Sequence, residues 1–412
     1  MIEKFQKIKN NYNPALFDLL CGVIASTFFS AFIYFEHFDI TIKIVNTIFG
    51  LMALSMLLYM PKRALLVAGF FIGLFWFYWI GYSFKYNGVG YMEPLITILF
   101  AIVYMLFFGI LALTNSVALR AVLLFCLSFI EPFDFNWLQI ELLFVESYLG
   151  IFKYHLFLIL LALSLPNYIK KRYKFTPLLL LALTINFNPP VNKEAPLKIK
   201  LVATDIKQDQ KWEKRNLSAT IELIFREIED AKNSGYDIVV LPESVFPFYM
   251  NKAPLIIEKL KTLSYDIAIV AGSLLSEENM HYNVTYIFNN GHYEVAKKLV
   301  LVPFGEYIPL PKFAQKFIND FFFAGASDFK TADKATDFII KNVKFRNAIC
   351  YEATCQEIYE GNVNFVIAIS NNAWFAPSIE PTLQKLLMKY YARKNKTTIY
   401  HSANYRGTSV IK

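Results

Sequence analysis

LKIKLVATDI, residues 197–206, is the stretch at which the chain changes pattern. Its apolar and polar side chains alternate with the period of two that half-buries a strand. Directly before it stands a Pro-rich linker with Pro189 and Pro190, and before that the sequence reads as long apolar runs. After it, 214–233 carries the spacing of an amphipathic helix, and YDIVVLPES (236–244) is a short buried strand ending in a polar turn. Further strands are expected at 266–275, 281–289, 293–302, 345–352 and 364–371, with helices near 253–263 and 379–395. Strands alternating with helices predict an α/β domain over 191–412.

Upstream the period is different. A helix needs about 20 apolar residues to cross a hydrocarbon core of roughly 30 Å. Runs near that length occupy 15–36, 42–60, 64–83, 93–115, 117–130, 154–168 and 175–188, so 1–190 reads as a transmembrane helical bundle of about seven spans. Cytoplasmic loops collect Lys and Arg. Lys4, Lys7 and Lys9 precede the first run, Lys62 and Arg63 follow the second, Arg120 follows the fourth, and Lys170, Lys171, Arg172 and Lys174 follow the sixth. The alternate loops hold Asp39, then Lys85 alone, then Glu131, Asp134, Glu141 and Glu146. With the N-terminus cytoplasmic, an odd number of spans delivers 191–412 to the extracytoplasmic side. The first run has the basic flank of a signal peptide, but its length and the spans behind it make it a retained anchor. Phe75, Trp76, Phe77, Tyr78 and Trp79 have two readings: an aromatic belt at the membrane interface, or a surface that admits lipid chains laterally.

Composition agrees with a membrane protein. Of 412 residues 56% are hydrophobic and 18% charged, and mean hydropathy is +0.38, far above a soluble average. The net charge of +8 sits largely in short loops between apolar runs, so it speaks for topology and not for nucleic acid. Cysteines at 21, 126, 350 and 355 make no dense disulfide framework. No GxSxG, Walker, GxGxxG or HExxH motif is present, and the histidines at 37, 155, 281, 292 and 401 have no ligand spacing. Neither a metal nor a cofactor is expected.

Chemistry in α/β domains gathers where strands end. LPES ends one expected strand with Glu243, the run from Lys297 to Glu306 ends another, and AICYE ends a third with Cys350. A carboxylate, an amine and a thiol together supply a base, a cationic oxyanion stabiliser and a nucleophile. Each also has a plainer reading: a turn-capping carboxylate, a solvated lysine, a buried structural thiol. A Cys350–Cys355 disulfide would abolish the nucleophile.

The order LPES, KKLVLVPFGEYIP (297–309), CYE (350–352), with KW at Lys211 and Trp212 and SNNAWF at 370–375, all behind a multi-span half, resembles the nitrilase superfamily. The FGEYIP form is similar to bacterial apolipoprotein N-acyltransferases. That resemblance implies an extracytoplasmic αββα nitrilase-type sandwich after the membrane bundle. It implies Glu243 as general base, Lys298 as oxyanion-stabilising amine and Cys350 as nucleophile; Lys298 is chosen over Lys297 because the family's lysine lies eight residues before the glutamate of FGE, here Glu306. Glu306, Tyr351, Glu352, Trp212 and Trp374 take supporting or substrate-contacting roles, with Phe375 beside them. The implied partners are a phospholipid acyl donor, a diacylated lipoprotein acceptor and the bilayer of the bacterial inner membrane, with the catalytic domain on the periplasmic side. Relatives usually continue past the SNNAWF helix and its following strand with more strands and a last membrane helix, which this chain, ending at Lys412, is expected to lack. A membrane-tethered amidase and a non-catalytic scaffold or transporter are the competing readings; scarce ionisable residues within the spans speak against transport.

Overall fold

The computed structural model describes residues 13–186, 193–278, 280–303, 305–307 and 329–412. Lys4, Lys7, Lys9, Pro189, Pro190 and parts of the FGEYIP stretch lie outside them. The described chain forms two compact units, and Tyr86–Val89 and Phe133–Phe135 belong with the second, which otherwise begins after the linker.

The first unit is helical: α1 Pro14–His37, α2 Lys43–Tyr59, α3 Lys62–Phe77, α4 Glu93–Gly109, α5 Val117–Leu127 and α6 Lys153–Ser164. Asn13 caps α1 by accepting from the Ala15 amide at 3.0 Å, with Pro14 in the first turn, where its missing N–H costs nothing. With their 3-10 extensions, Lys62–Tyr86 and Gly90–Leu113 join Pro14–His37 as helices long and apolar enough to cross a membrane. The fifth, sixth and seventh runs hold α5, α6 and a 3-10 stretch, Thr176–Thr184.

Small residues bring α3 and α4 together. A Cβ at Gly69 would lie 2.6 Å from the Tyr104 carbonyl, and one at Gly73 would lie 2.9 Å from the Tyr104 Cβ. Glycines four apart on one face are how apolar helices approach where no hydrophobic effect drives them. Trp76, Phe77 and Trp79 are buried within this unit; Phe77 stacks on Tyr104 at 5.0 Å and Trp76 meets Phe29 and Phe32. They pack helices together and do not form an exposed belt. Arg120 is also buried: its guanidinium donates to the carbonyls of Leu58, Met60 and Thr114, a cation closing the C-terminal end of α2.

The second unit holds two five-stranded sheets. The first runs β1 Ile199–Leu201, β2 Ile238–Val240, β3 Ala268–Glu277, β4 Met280–Asn289, β5 His292–Lys297, with β1, β2 and β3 parallel and the rest antiparallel. The second holds β6 Asp337–Ile340, β7 Val343–Ile349, β8 Phe365–Asn371, β9 Thr398–Asn404 and β10 Ser409–Ile411 in the order β10-β9-β8-β7-β6, with β7, β8 and β9 parallel. Between the sheets Ile238, Val240, Ala268 and Val270 meet Phe345, Ile349, Ile367 and Ile369. The alternate residues Val239, Ile269 and Ala271 face outward against Ile224 and Ile228 of α8 Lys214–Asn233 and Leu260 of α9 Pro254–Leu263. Each fully buried Val, Ile, Leu or Phe among them contributes about 1.5–3 kcal/mol. The short helix α7 Gln208–Lys211 precedes α8. α10 Glu380–Asn395 buries Leu383, Leu386 and Leu387 and packs on β9, β10 and the turn after β7. This is the αββα layering expected of a nitrilase-type sandwich.

Two expectations change in detail. β5 stops at Lys297 and does not run to 302, because the amides of Leu299 and Val300 donate to the Glu352 carboxylate instead of a neighbouring strand. β1 pairs over three residues only. β6, β9 and β10 are strands that the pattern of alternation did not reveal.

Candidate active site

The turn after β2 carries Glu243. Its Oε1 accepts from Asn283 Nδ2 at 2.7 Å and its Oε2 from the Asn371 amide at 2.8 Å. The next residue, Ser244, has φ 46°, a left-handed backbone that costs a side-chain-bearing residue energy. The turn lies hard against β3: a Cβ at Gly272 would lie 2.5 Å from the Ser244 nitrogen and 2.6 Å from the Glu243 Cα. Glycine is required there by close approach.

Lys298 follows the last residue of β5. Its side chain is 1% exposed and its Nζ lies 2.7 Å from Glu306 Oε2. Burial alone would lower its pKa; the carboxylates of Glu306 and Glu243 outweigh that and hold it protonated well above the ordinary lysine range. Glu306 Oε2 also accepts from the Val302 amide at 2.8 Å, closing its own loop. Lys297 points the other way, to Glu277 at 2.6 Å and over the Tyr282 ring. The strand alternation thus separates the two lysines into a surface one and a buried one.

Cys350 opens the 3-10 turn Cys350–Thr354 directly after β7 with φ 54°, a strained corner of the sort that lifts a side chain off a sheet edge. Desolvation and the Glu243 carboxylate push its thiol well above the ordinary value, while Lys298 pulls it down. Gln384 Nε2 stands 3.7 Å from its Sγ. Cys350 and Cys355 are not joined in a disulfide, and the Cys355 thiol donates to the Tyr351 carbonyl. Glu352 is buried and accepts from three amides: Ile349 at 2.6 Å, Leu299 at 2.7 Å and Val300 at 3.1 Å. It therefore ties the Lys298 loop to the Cys350 corner. Burial raises its carboxyl to about 7, against Lys298 and those three donors.

The structure brings Glu243, Lys298, Glu306, Glu352 and Cys350 together. Tyr351 stacks on Phe135 at 5.9 Å and its hydroxyl donates to the Asp134 carbonyl. Trp374 meets the Tyr86 ring edge-on at 5.6 Å. Trp212 is 44% exposed; its neighbour Lys211 turns inward instead, donating to the Glu243 carbonyl at 3.0 Å. Burial pushes Lys211 down to about 8, offset by Glu243 and Cys350. Sequence reasoning missed Lys211, Asn283, Asn371, Glu380 and Gln384 as parts of this cluster. Lys211 and Asn371 stood inside the KW and SNNAWF motifs; Asn283 shares β4 with the polar His281 and Thr285, so nothing in the strand's pattern set it apart.

A carboxylate held by donors, a buried ammonium and a cornered thiol within one another's field can deprotonate, stabilise an oxyanion and attack a carbonyl.

Residues 16–187 match the integral membrane domain of apolipoprotein N-acyltransferases. A curated apolipoprotein N-acyltransferase of Wolinella succinogenes is 41% identical over 392 residues, covering 95% of each chain. This chain belongs to the apolipoprotein N-acyltransferase family. It is accordingly a membrane-bound enzyme of the acyltransferase class. Apolipoprotein N-acyltransferases of Helicobacter pylori (35% identical, covering 97% of this chain and 96% of that one) and Campylobacter jejuni (34%, covering 98% and 91%) are similar over the same extent. Among solved structures, a CN-hydrolase superfamily protein of Xanthomonas campestris aligns with a TM-score of 0.38 at 16% identity, covering 50% of this chain and 76% of that one.

Proposed function

We propose that this chain transfers a fatty acyl group from a membrane phospholipid, through a thioester on Cys350, to the N-terminal amine of a lipoprotein's diacylglyceryl-cysteine. The observation that carries the reading is the cluster of buried Glu243 and Lys298 with half-buried Glu306 and Cys350 in a chain of this family. The Cys350 thiol rests protonated, so Glu243 takes its proton as sulfur attacks the donor's ester carbonyl. Lys298, kept cationic by Glu306, meets the oxyanion. The C–O bond breaks, Glu243 returns the proton to the departing alkoxide, and a lysophospholipid leaves.

In the second half-reaction the acceptor's free amine attacks the thioester, Glu243 takes a proton from nitrogen and passes it to sulfur, and the C–S bond breaks. Ester to thioester to amide runs downhill and needs no ATP. About seven crossings of the bacterial inner membrane, with the α/β unit on the periplasmic face, would hold the cleft where both lipid substrates present their reacting groups.

The test offers purified protein a phospholipid and a synthetic lipopeptide with an N-terminal S-diacylglyceryl-cysteine. The expected products are lysophospholipid and N-acylated peptide in equal amounts. Free fatty acid with unmodified peptide would instead make water the acceptor and the chain a membrane-tethered hydrolase.

A further inference from the structure

Glu380 opens α10 and is 1% exposed, and among the described residues nothing meets its Oε2. The Glu243 carboxylate raises it, and it in turn raises the Cys350 thiol. One turn later on the same helix face, Gln384 reaches the Cys350 sulfur. A buried carboxyl oxygen lacking a partner costs stability unless something arrives to meet it.

The proposed first half-reaction has no use for it, since the donor is an ester and Glu243 handles its one proton. The second half-reaction does. An α-amine with a pKa of roughly 7.7–8.0 arrives largely as ammonium at neutral pH, and becoming an amide removes two protons, of which sulfur takes one. The other needs a receiver inside a site that already holds the Lys298 cation.

Resting on the reading above, we propose that Glu380 is the receptor for the acceptor's ammonium and takes its first proton, leaving the second to Glu243. Burial and the Glu243 charge keep the Glu380 carboxyl protonated well above the ordinary range in the resting site. As the ammonium enters, Glu380 releases that proton to solvent and pairs with the cation, then accepts a proton from nitrogen. The amine attacks the thioester, Glu243 takes the second proton and hands it to sulfur, and Glu380 ends protonated again. One N–C bond forms, one C–S bond breaks, one S–H bond re-forms and one proton is released.

The elements packed against α10 also bring Tyr351, Glu352, Glu357, Tyr359, Tyr400 and His401, and Lys385 and Lys389 lie on the helix itself. Of these, His401 is held neutral, pushed down to about 4 by burial, with Gly407 and Ser370 as its partners. Glu243 is the charged group that acts on Glu380.

The experiment separates the half-reactions. Glu380→Gln is charged with phospholipid alone, its acyl-enzyme is measured by intact mass, and transfer to the diacylated lipopeptide is then followed from pH 6 to pH 9, spanning the α-amino pKa. The expected result is an acyl-enzyme burst equal to the parent's, with transfer slowed by about 100-fold at the acid end and rising with pH to meet the parent above the amine's pKa. Glu380→Asp, which keeps the carboxyl, retains the parent's profile. Loss of the burst, or slowing by the same factor at every pH, overturns the proposal. A parent that forms no acyl-enzyme overturns the thioester reading itself, and this proposal with it.

Discussion

Cys350 reports the electrostatics of the site in a single atom. Glu243 raises its thiol and Lys298 lowers it, so the two neighbours shift it in opposite directions. Alkylation of Cys350 by iodoacetamide should rise with pH through an inflection above the ordinary thiol value of roughly 8.5. Lys298→Met moves that inflection further up, because the stabilising cation is gone. Glu243→Gln moves it down, because a repelling charge is gone, even as turnover collapses for want of a base. An inflection at or below the ordinary value, or both variants moving the same way, contradicts this account. Glu243 and Cys350 stood out as candidates because each sits near the end of an expected strand, whereas Lys298 was separated from Lys297 only by the family resemblance's spacing to Glu306. Glu380 and Gln384 were not legible, since their meaning arises only when α10 folds back beside Cys350, 34 residues from Gln384 in the chain.

At the scale of elements, close backbone approach sets the site. Gly272 in the middle of β3 leaves room for the Glu243 turn, so Gly272→Ala forces backbone against backbone. It should cost about 1–3 kcal/mol and displace Glu243 from the Asn283 and Asn371 donors. Thermal unfolding of the variant, with acyl-enzyme formation measured well below its midpoint, checks both effects; unchanged acylation would show that the turn tolerates the shift. Alternation revealed β3, β4, β7 and β8 because their apolar residues alternate or run continuously. β9 was hidden: all seven of its residues are buried, yet Thr398, His401, Ser402 and Asn404 are polar, satisfied by partners such as Ser370 and Val202 that no local window contains. The early end of β5 was equally invisible, because the carboxylate that draws its next two amides away lies more than 50 residues downstream.

Across the whole molecule, an apolar helical unit and an α/β sandwich share one chain; the sequence changes period near residue 197, and Tyr86–Val89 and Phe133–Phe135, which lie before that change, go with the second unit. Hydropathy marked the apolar runs but not their helical lengths, since α2, α5 and α6 are shorter than a full crossing and the last run is 3-10. The central claim joins both halves: a lipid-derived acyl group resides on Cys350. The most direct measurement is the intact mass of protein purified from membranes, comparing the parent with Cys350→Ala and Cys355→Ala. A hydroxylamine-labile fatty acyl adduct should be present in the parent and in Cys355→Ala and absent from Cys350→Ala. No adduct in the parent, with phospholipid supplied and the thiol reduced, or an adduct that survives in Cys350→Ala, would contradict the account.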